Sequence, residues 1–321
     1  MITDTKVKTT TKHQQIKKQT QHMARNETRQ WTVWLGVMQG ITDFGLLVKF
    51  RLTLMVIFSA VIAYAIIDTG TTDWWGIFML ATGGFMVTGA ANALNQGLER
   101  DYDRLMTRTA NRPLAAGRMS LSTAVLLAGL MAMIGISCLT WFNPLTGFLG
   151  TLSLMTYAFV YTPLKRFTPL SVVVGAFPGA LPIIIGCVAF EGTISSLAIY
   201  LFLIQFLWQF PHYWAIAWLA DEDYKRAGFF MLPTRDGQKN ASVGLLSLAF
   251  CALMLVNTGI GYAIGLTSPT VTLVLAALNI WFGWRCWQLY KECSHAAARR
   301  QMFTSFFHLP LSLLAVLIDK L

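Results

Sequence analysis

The sequence predicts an all-α, polytopic membrane protein, a bundle of nine transmembrane helices whose longest polar loops are cytoplasmic. Three observations support this class: an apolar composition, a series of long uncharged runs, and basic residues confined to alternate connections. Of the 321 residues, 55% are hydrophobic and 12% are charged. An average soluble domain has about 25% charged residues, so the composition excludes an ordinary soluble protein.

Seven long uncharged runs supply the predicted spans. They are Leu52–Ile67, Trp74–Leu98, Met119–Leu164, Phe167–Phe190, Gly192–Ala220, Ala241–Trp284 and Met302–Ile318. A helix needs about 20 residues to cross the hydrocarbon, so the two longest runs must each contain two helices. Pro144 and Pro269 mark the breaks within them, because the residue before a proline disfavours helix. The predicted count is therefore nine.

Lysines and arginines give these spans an orientation. With a cytoplasmic N-terminus, all 25 except Lys320 lie in the N-terminal segment or in connections after even-numbered spans. Basic residues concentrate on the cytoplasmic side of membrane proteins. The sequence therefore predicts a multi-pass protein of the plasma (inner) membrane with a cytoplasmic N-terminus. The net charge of +10 then favours anionic lipid and an anionic substrate over nucleic acid.

The N-terminal end differs in composition from the rest of the chain. Residues 1–30 are polar and rich in Thr, Gln and Lys, which predicts a disordered cytoplasmic tail. Residues 31–321 are predicted to form the nine-helix domain. Its first part, residues 31–49, is expected to be an amphipathic helix at the membrane interface that leads into the first span.

The connection after the second span carries the strongest functional pattern. Asn95, Glu99 and Asp103 recur every four residues. At about 100° per residue, such positions share one face of a helix. An amide oxygen and two carboxylates form a hard-ligand set that suits Mg²⁺. The alternative is a solvated helix end in which Glu99 and Asp103 pair with Arg100 or Arg104 at helical spacing.

Basic residues follow this acidic pattern. Arg108 and Arg112 are four residues apart, and guanidinium groups bind phosphate oxygens in pairs and stay charged. After the fourth span, Tyr161 and Lys165 are also four apart, and both can bind a leaving phosphate. Acids, a metal and arginines beside a membrane indicate a diphosphate substrate. The alternatives are arginines that anchor lipid headgroups, and an aromatic belt with a surface-seeking lysine.

The end of the sixth span holds a histidine, and the connection after it holds a second group of acids. His212 follows Pro211 in an uncharged stretch. It is a packing residue, a ligand to a bound metal cofactor, or an acid–base or cation-stabilising group. Asp221, Glu222 and Asp223 follow, and these acids either supply a second metal position or cap the span.

Together these motifs resemble the intramembrane (UbiA-type) prenyltransferases. The shared patterns are N-x-x-x-E-R-D-x-D, M-x-R-T-x-x-R-P-L, Y-T-x-x-K-R, W-Q-x-P-H and D-Y-x-x-A-G-x-x-M-L-P, in that order from about Lys49 to Leu321. The likeness is closest to the haem-modifying branch, of which His212 is characteristic. The second acidic motif departs from the D-x-x-x-D of many members, since Leu219 stands four residues before Asp223.

The resemblance implies a reaction and its components. Members of this branch transfer a farnesyl group from farnesyl diphosphate to a vinyl group of haem b, with addition of water. The expected products are haem O and diphosphate, formed through an Mg²⁺-assisted allylic carbocation. The implied metal residues are Asn95, Glu99, Asp103 and Asp223. The implied diphosphate-binding residues are Arg108, Arg112, Lys165 and Tyr161. The implied catalytic residues are Asn95, Glu99, Asp103, Lys165, His212 and Asp223.

Two other functions are weighed beside this one. The first is a prenyltransferase that acts on a quinone precursor or another aromatic acceptor, against which His212 argues. The second is a transporter, but transporters place coupling charges near the midplane, whereas the acids here lie at the cytoplasmic edge. The expected surroundings are the lipid bilayer and no nucleic acid, with haem A synthase or an oxidase-assembly protein as candidate partners.

Overall fold

The computed structural model describes residues 36–68, 70, 73–234 and 238–320. The predicted tail, residues 1–30, and the first part of the predicted interfacial helix lie outside these ranges. Residues 36–47 are helical, as expected for a helix that precedes the first span. The chain divides into two compact units after Leu46, and the second unit contains the helical bundle.

The bundle consists of nine long helices and one short helix within the described ranges. The long helices are α1 (Phe50–Ile67), α2 (Trp74–Asp103), α3 (Leu121–Thr140), α4 (Pro144–Leu164), α5 (Ser171–Glu191), α6 (Ser196–Leu219), α7 (Ala241–Ala263), α8 (Pro269–Glu292) and α9 (His295–Lys320). The short helix, Asp221–Arg226, follows α6. The all-helical class predicted from the sequence is confirmed.

Seven of the helices that the structure describes are long and apolar enough to cross a membrane. The two other long helices, α6 and α8, include polar side chains such as Gln205, His212 and Arg285. The protein is thus a multi-pass membrane protein. The nine predicted spans agree in number with the nine long helices of the bundle. Length and composition support membrane crossing for seven of these described helices.

Side-chain caps determine where two of the helices begin. Asn143 accepts a hydrogen bond from the Thr146 N–H (2.9 Å), and Pro144 occupies the first turn of α4. Ser268 accepts one from the Val271 N–H (3.3 Å), with a proline in the first turn of α8. Proline is tolerated there because its missing N–H would have no partner within the helix. Both breaks predicted in the longest runs are confirmed.

Small residues of α5 let its neighbours approach closely. A side chain on Gly186 would collide with the Ala60 carbonyl of α1, and one on Gly179 would collide with Gln209 of α6. Gln209 also donates a hydrogen bond to the Ala176 carbonyl of α5 (2.8 Å). Close approach at small residues stabilises helix pairs in membranes. These glycines therefore permit close packing, and together with Gln209 they fix α6 beside α5.

Candidate active site

The C-terminal half of α2 carries the three side chains that the sequence places on one face. Asn95, Glu99 and Asp103 are 0%, 5% and 1% exposed, so the shared, buried face is confirmed. We call these three side chains the α2 stripe. The alternative of a solvated helix end is wrong, because the nearby arginines bind elsewhere. Arg100 and Arg104 both pair with Asp101, each at 3.3 Å.

Each member of the α2 stripe binds a cation from a different part of the chain. One cation precedes α1, one follows α4, and one lies in the connection after α2. The pairs are Lys49 Nζ with Asn95 Oδ1 (2.8 Å), Lys165 Nζ with Glu99 Oε1 (2.8 Å), and Arg112 Nη1 with Asp103 Oδ2 and Oδ1 (2.7 and 2.8 Å). The stripe is therefore a row of acceptors one helical turn apart, each matched by a positive charge.

Two of these contacts are ion pairs that are shielded from solvent. The side chains of Glu99 and Lys165 are 6% and 11% exposed, and those of Asp103 and Arg112 are 1% and 16% exposed. Removing one partner of a buried ion pair costs about 3–5 kcal/mol, because the other charge is left uncompensated. Ionisable residues that membrane proteins retain in such places commonly have a function.

A π-helical turn in α4 brings the connection after α4 to the stripe. The turn covers Thr156–Tyr161. Directly after it, the Thr162 hydroxyl accepts a hydrogen bond from Asn95 Nδ2 (3.0 Å) and donates one to the Tyr157 carbonyl (2.8 Å). Single π-turns within α-helices are frequent at functional sites. Here the turn fixes the register between α4 and α2.

Lys165 lies just beyond α4 and reaches the stripe across an aromatic ring. Its Nζ is 4.4 Å from the centre of the Tyr161 ring, a cation–π distance. Burial lowers the pKa of Lys165, but the Glu99 carboxylate outweighs this effect and raises the net pKa above its usual value. The alternative of a lysine that extends to the membrane surface is wrong, because Lys165 is buried. The predicted Tyr161–Lys165 pair is brought together.

Lys49 belongs to this site although no sequence pattern indicated it. It precedes α1 in the left-handed conformation, with φ of 49°, which is uncommon for residues other than glycine. Its Nζ donates to Asn95 Oδ1 (2.8 Å) and to the Tyr157 hydroxyl (3.4 Å). Burial, followed by the charges of Arg112 and Lys165, lowers the pKa of Lys49 well below its usual range. An anion bound here would relieve that repulsion.

Asp223 connects two loops, the one after α2 and the one after α6. Its carboxylate accepts hydrogen bonds from the backbone N–H groups of Arg108 (3.2 Å) and Thr107 (3.3 Å), and it forms an ion pair with Arg226. Burial raises the pKa of Asp223, but these N–H groups and the guanidinium outweigh that effect and hold the pKa below its usual value. Asp223 thus ties the loop after α2 to the short helix after α6.

The two arginines predicted to act together are separated in the structure. Arg112 binds Asp103, whereas Arg108 Nη2 lies 3.3 Å from the Tyr224 hydroxyl. The reason is that α2 ends at Asp103, and residues 104–118 form turns rather than a continued helix. A spacing of four residues therefore does not place Arg108 and Arg112 on one face. Only Arg112 is brought to the stripe.

The other acids that follow α6, Asp221 and Glu222, do not form ion pairs with the stripe. Asp221 is buried and pairs with Lys225 (2.9 Å) and Lys239 (3.8 Å). It is the first residue of the short helix that follows α6. Glu222 is exposed to solvent.

His212 lies against α9. Its Nδ1 forms a hydrogen bond with the Ser305 hydroxyl (2.7 Å), and its ring stacks on Trp208 with centroids 4.6 Å apart. Phe306 contacts the same ring edge-on at 5.5 Å. Within the described ranges no hydrogen bond joins His212 to the α2 stripe. A hydrogen bond at one ring nitrogen fixes the orientation of the other, as is usual for histidines that bind metals.

The stripe has donor chemistry that fits Mg²⁺. No three acidic, histidine or cysteine side chains among the described residues are grouped closely enough to enclose a metal. However, Mg²⁺ is commonly bound by one or two carboxylates, with substrate phosphates and waters as the other ligands. Glu99 and Asp103 supply two carboxylates, and a carboxylate has about four acceptor positions, so one cation does not exhaust it. The residues therefore fit an Mg²⁺ ion that arrives with a diphosphate.

Comparison with known proteins identifies the family. Residues 56–309 match the UbiA prenyltransferase family. The protoheme IX farnesyltransferase of Cytophaga hutchinsonii is 41% identical over 277 residues, which cover 86% of this chain and 96% of that protein. The mitochondrial protoheme IX farnesyltransferase of Homo sapiens is 33% identical over 300 residues, which cover 92% of this chain and 67% of that protein.

Solved structures share the fold at low sequence identity. A structure of digeranylgeranylglyceryl phosphate synthase matches with a TM-score of 0.72 at 16% identity, covering 88% of this chain and 99% of that one. A UbiA homologue from Archaeoglobus fulgidus, bound to GPP and Mg²⁺, matches with a TM-score of 0.65 at 14% identity, covering 85% and 99%. The chain therefore belongs to the UbiA prenyltransferase family and is a prenyltransferase rather than a transporter.

Proposed function

We propose that this prenyltransferase transfers a farnesyl group from farnesyl diphosphate to a vinyl group of haem b, with addition of water, to give haem O and diphosphate. The observation that carries the proposal is the set of three cations held on the buried α2 stripe. Support for the acceptor comes from the relatives, which are named protoheme IX farnesyltransferase at 41% and 40% identity.

The three cations are suited to a diphosphate leaving group. As the allylic C–O bond breaks, negative charge develops on the phosphate oxygen. Lys165 and Arg112 are already held in place by Glu99 and Asp103, so they stabilise that charge without reorganising first. Lys49 adds a third positive charge. Because Arg112 and Lys165 repel it, an anion bound beside all three would be stabilised.

Metal binding is assigned to the same row of oxygens. Asn95, Glu99 and Asp103 would hold Mg²⁺, with Asp223 as the acid of the second motif. When bound, Mg²⁺ supplies Lewis-acid charge to the diphosphate oxygens. Tyr161 would border the leaving group through its ring. We assign Arg108 to the loop that would contact the diphosphate. Its backbone N–H donates a hydrogen bond to the Asp223 carboxylate.

The bonds in the proposed reaction balance without a redox partner. The C–O bond breaks and its electron pair leaves with the diphosphate. The vinyl group then forms a bond to the allylic carbon, and the cation left beside the porphyrin takes the oxygen of water and releases one proton. Tyr157 and Tyr161, whose ring centroids are 5.3 Å apart, and Tyr213 of α6 provide aromatic faces for the allylic cation.

His212 is assigned to the acceptor side, because it lies against α9 and away from the stripe. It would bind the haem iron or pack beside the ring. We further propose that residues 31–321 form the catalytic domain after a polar tail, residues 1–30. A plasma-membrane location with a cytoplasmic N-terminus is supported by the one-sided basic residues, and haem A synthase or an oxidase-assembly protein would be the partner.

Mass analysis of pigments tests this proposal. Cells that co-express the protein and accumulate haem b should yield a haem whose mass is increased by one farnesyl group and one water. Lys165→Met, expressed to the same level in the membrane, should yield unmodified haem b. Conversion of 4-hydroxybenzoate in membrane extracts, with haem b left unmodified, would instead support the quinone-precursor alternative.

A further inference from the structure

A second charged site lies outside the α2 stripe. A cleft of about 420 Å³ opens where the C-terminal end of α6, the short helix and the N-terminal end of α9 meet. We call it the α6–α9 cleft. Its volume falls within the roughly 300–1,000 Å³ that is usual for small-molecule sites. Residues that line it include Arg108, Ile216, Leu219, Arg226, His295 and Met302.

The rim of the cleft is charged, with Arg108 and Arg226 beside Glu222 and Asp223. Arg226 is paired with Asp223, yet its side chain remains 56% exposed and can take a further anionic partner. His295 begins α9, where the helix dipole favours negative charge, and its Nε2 lies 3.1 Å from Lys239 Nζ. Glu222 also lines the cleft and opposes this charge. Asp223 is covered and already accepts from the two loop N–H groups and Arg226, so the exposed guanidinium of Arg226 is the group of this pair that is open to an anion.

The floor of the cleft is apolar and continues toward His212. Ile216 and Leu219 are four and seven residues after His212, so all three share one face of α6. On α9, Met302 lies one turn before Ser305, the hydrogen-bond partner of His212. The face thus runs from a charged rim, over aliphatic side chains, to an imidazole in contact with aromatic rings.

We propose that the α6–α9 cleft binds the two carboxylates of the acceptor, through Arg226 and His295, with the apolar ring lying along α6 toward His212. This inference rests on the proposed function. Haem b carries its carboxylates on one edge and its vinyl groups on the opposite half of an apolar ring. Carboxylates fixed at the rim therefore direct the vinyl half inward. The acceptor carboxylates then bind to Arg226 and His295, whereas the donor diphosphate binds to the cations of the α2 stripe.

Binding measurements with two acceptors test this arrangement without requiring turnover. The full-length protein is titrated with haem b and with its dimethyl ester, which lacks the negative charges, and Kd is obtained from the Soret absorbance. The wild type should prefer haem b, and Arg226→Ala should lose about tenfold or more of that preference, as expected for hydrogen bonds to a charged group. Binding of farnesyl diphosphate should change less than binding of haem b, the remaining change reflecting the lost pair between Arg226 and Asp223.

Two further variants separate recognition from loop structure. His295→Ala does not touch Asp223, and it should reduce the preference for haem b in the same direction. Arg300→Ala removes an arginine of α9 that pairs with Glu292 (2.6 Å) and does not line the cleft, so its preference should equal that of the wild type.

The outcomes distinguish this inference from the proposed function. Equal affinity of the wild type for haem b and its diester, or an unchanged preference in both Arg226→Ala and His295→Ala, would overturn the cleft assignment while haem O formation stands. Weaker binding of farnesyl diphosphate with unchanged haem binding would show that the rim serves the donor, and would also overturn it. Absence of haem O from the wild type would contradict the proposed function itself.

Discussion

Two polar regions of the bundle are built in opposite ways. The α2 stripe uses formal charges, with Glu99 and Asp103 each paired to a cation from another element. Between α6, α8 and α9 the buried polar groups form neutral hydrogen bonds, such as His308 Nε2 with Asn279 Oδ1 (2.9 Å) and His212 with Ser305 (2.7 Å). Charges are costly within a bilayer, so they are confined to its edge. Under the proposed function, the charged region serves the anionic leaving group and the neutral region serves a largely apolar ring.

The largest effect is expected from breaking a pair on the stripe. Lys165→Met should lower kcat/KM about 100- to 1,000-fold, because it removes a fixed charge from the leaving group. It should also lower the free energy of unfolding by about 3–5 kcal/mol, because Glu99 is left buried without its cation. Steady-state kinetics and thermal unfolding in detergent measure the two quantities.

The double variant Lys165→Met/Glu99→Gln separates structure from chemistry at this pair. Neither side chain is then charged, so most of the lost stability should return while farnesyl transfer stays low. If activity returned together with stability, the pair would be structural only, and the contrast between the two regions would lose its basis.

Lys49 should follow with an intermediate effect. Lys49→Met should reduce kcat/KM about 10- to 100-fold, as expected for the loss of charged hydrogen bonds, mainly through a higher KM for farnesyl diphosphate. The matched control is Arg51→Met, which removes an exposed charge two residues away. Equal KM values for the two variants would show that Lys49 is not part of the donor site.

The link between the loops is expected to give a smaller effect. Asp223→Asn should raise the KM for farnesyl diphosphate about tenfold, since the charge-assisted hydrogen bonds to the Thr107 and Arg108 amides are weakened. Those two amides should exchange hydrogen faster, whereas Glu222→Gln should leave their exchange unchanged. An increased Mg²⁺ requirement would point to direct metal binding by Asp223, and unchanged amide exchange would contradict the link.

The smallest effect is expected in the neutral region. Ser305→Ala should lower kcat/KM for haem b about fivefold, the value of one net hydrogen bond of about 1 kcal/mol. The KM for farnesyl diphosphate should not change, because no hydrogen bond between described residues joins His212 to the stripe. A change in the donor KM instead of the acceptor KM would show that the two regions are not separate.

Local spacing was sufficient to predict the stripe but not its partners. Asn95, Glu99 and Asp103 follow the helical period, so one continuous helix was enough to place them together. Lys49 lies 46 residues before Asn95 along the chain, and only folding brings the two into contact. No periodicity can reveal such a pair.

The other differences have separate physical causes. Helical spacing grouped Arg108 with Arg112, but the chain leaves the helix at Asp103, and the turns that follow separate the two side chains. His212 was found from its intramembrane position, yet its partner Ser305 is 93 residues away and neutral, so its orientation could not be anticipated. The breaks at Pro144 and Pro269 were predictable, because proline acts on its own residue and the one before it.

Single-turnover release of diphosphate tests the central claim most directly. Purified protein in nanodiscs is mixed with labelled farnesyl diphosphate, haem b and Mg²⁺, and released diphosphate is counted beside haem O. We predict one diphosphate for each haem O, with neither formed in Lys165→Met/Glu99→Gln at comparable stability. Wild-type rates of both products in that variant, or farnesyl transfer that proceeds equally well without Mg²⁺, would contradict the assignment of the α2 stripe to the leaving group.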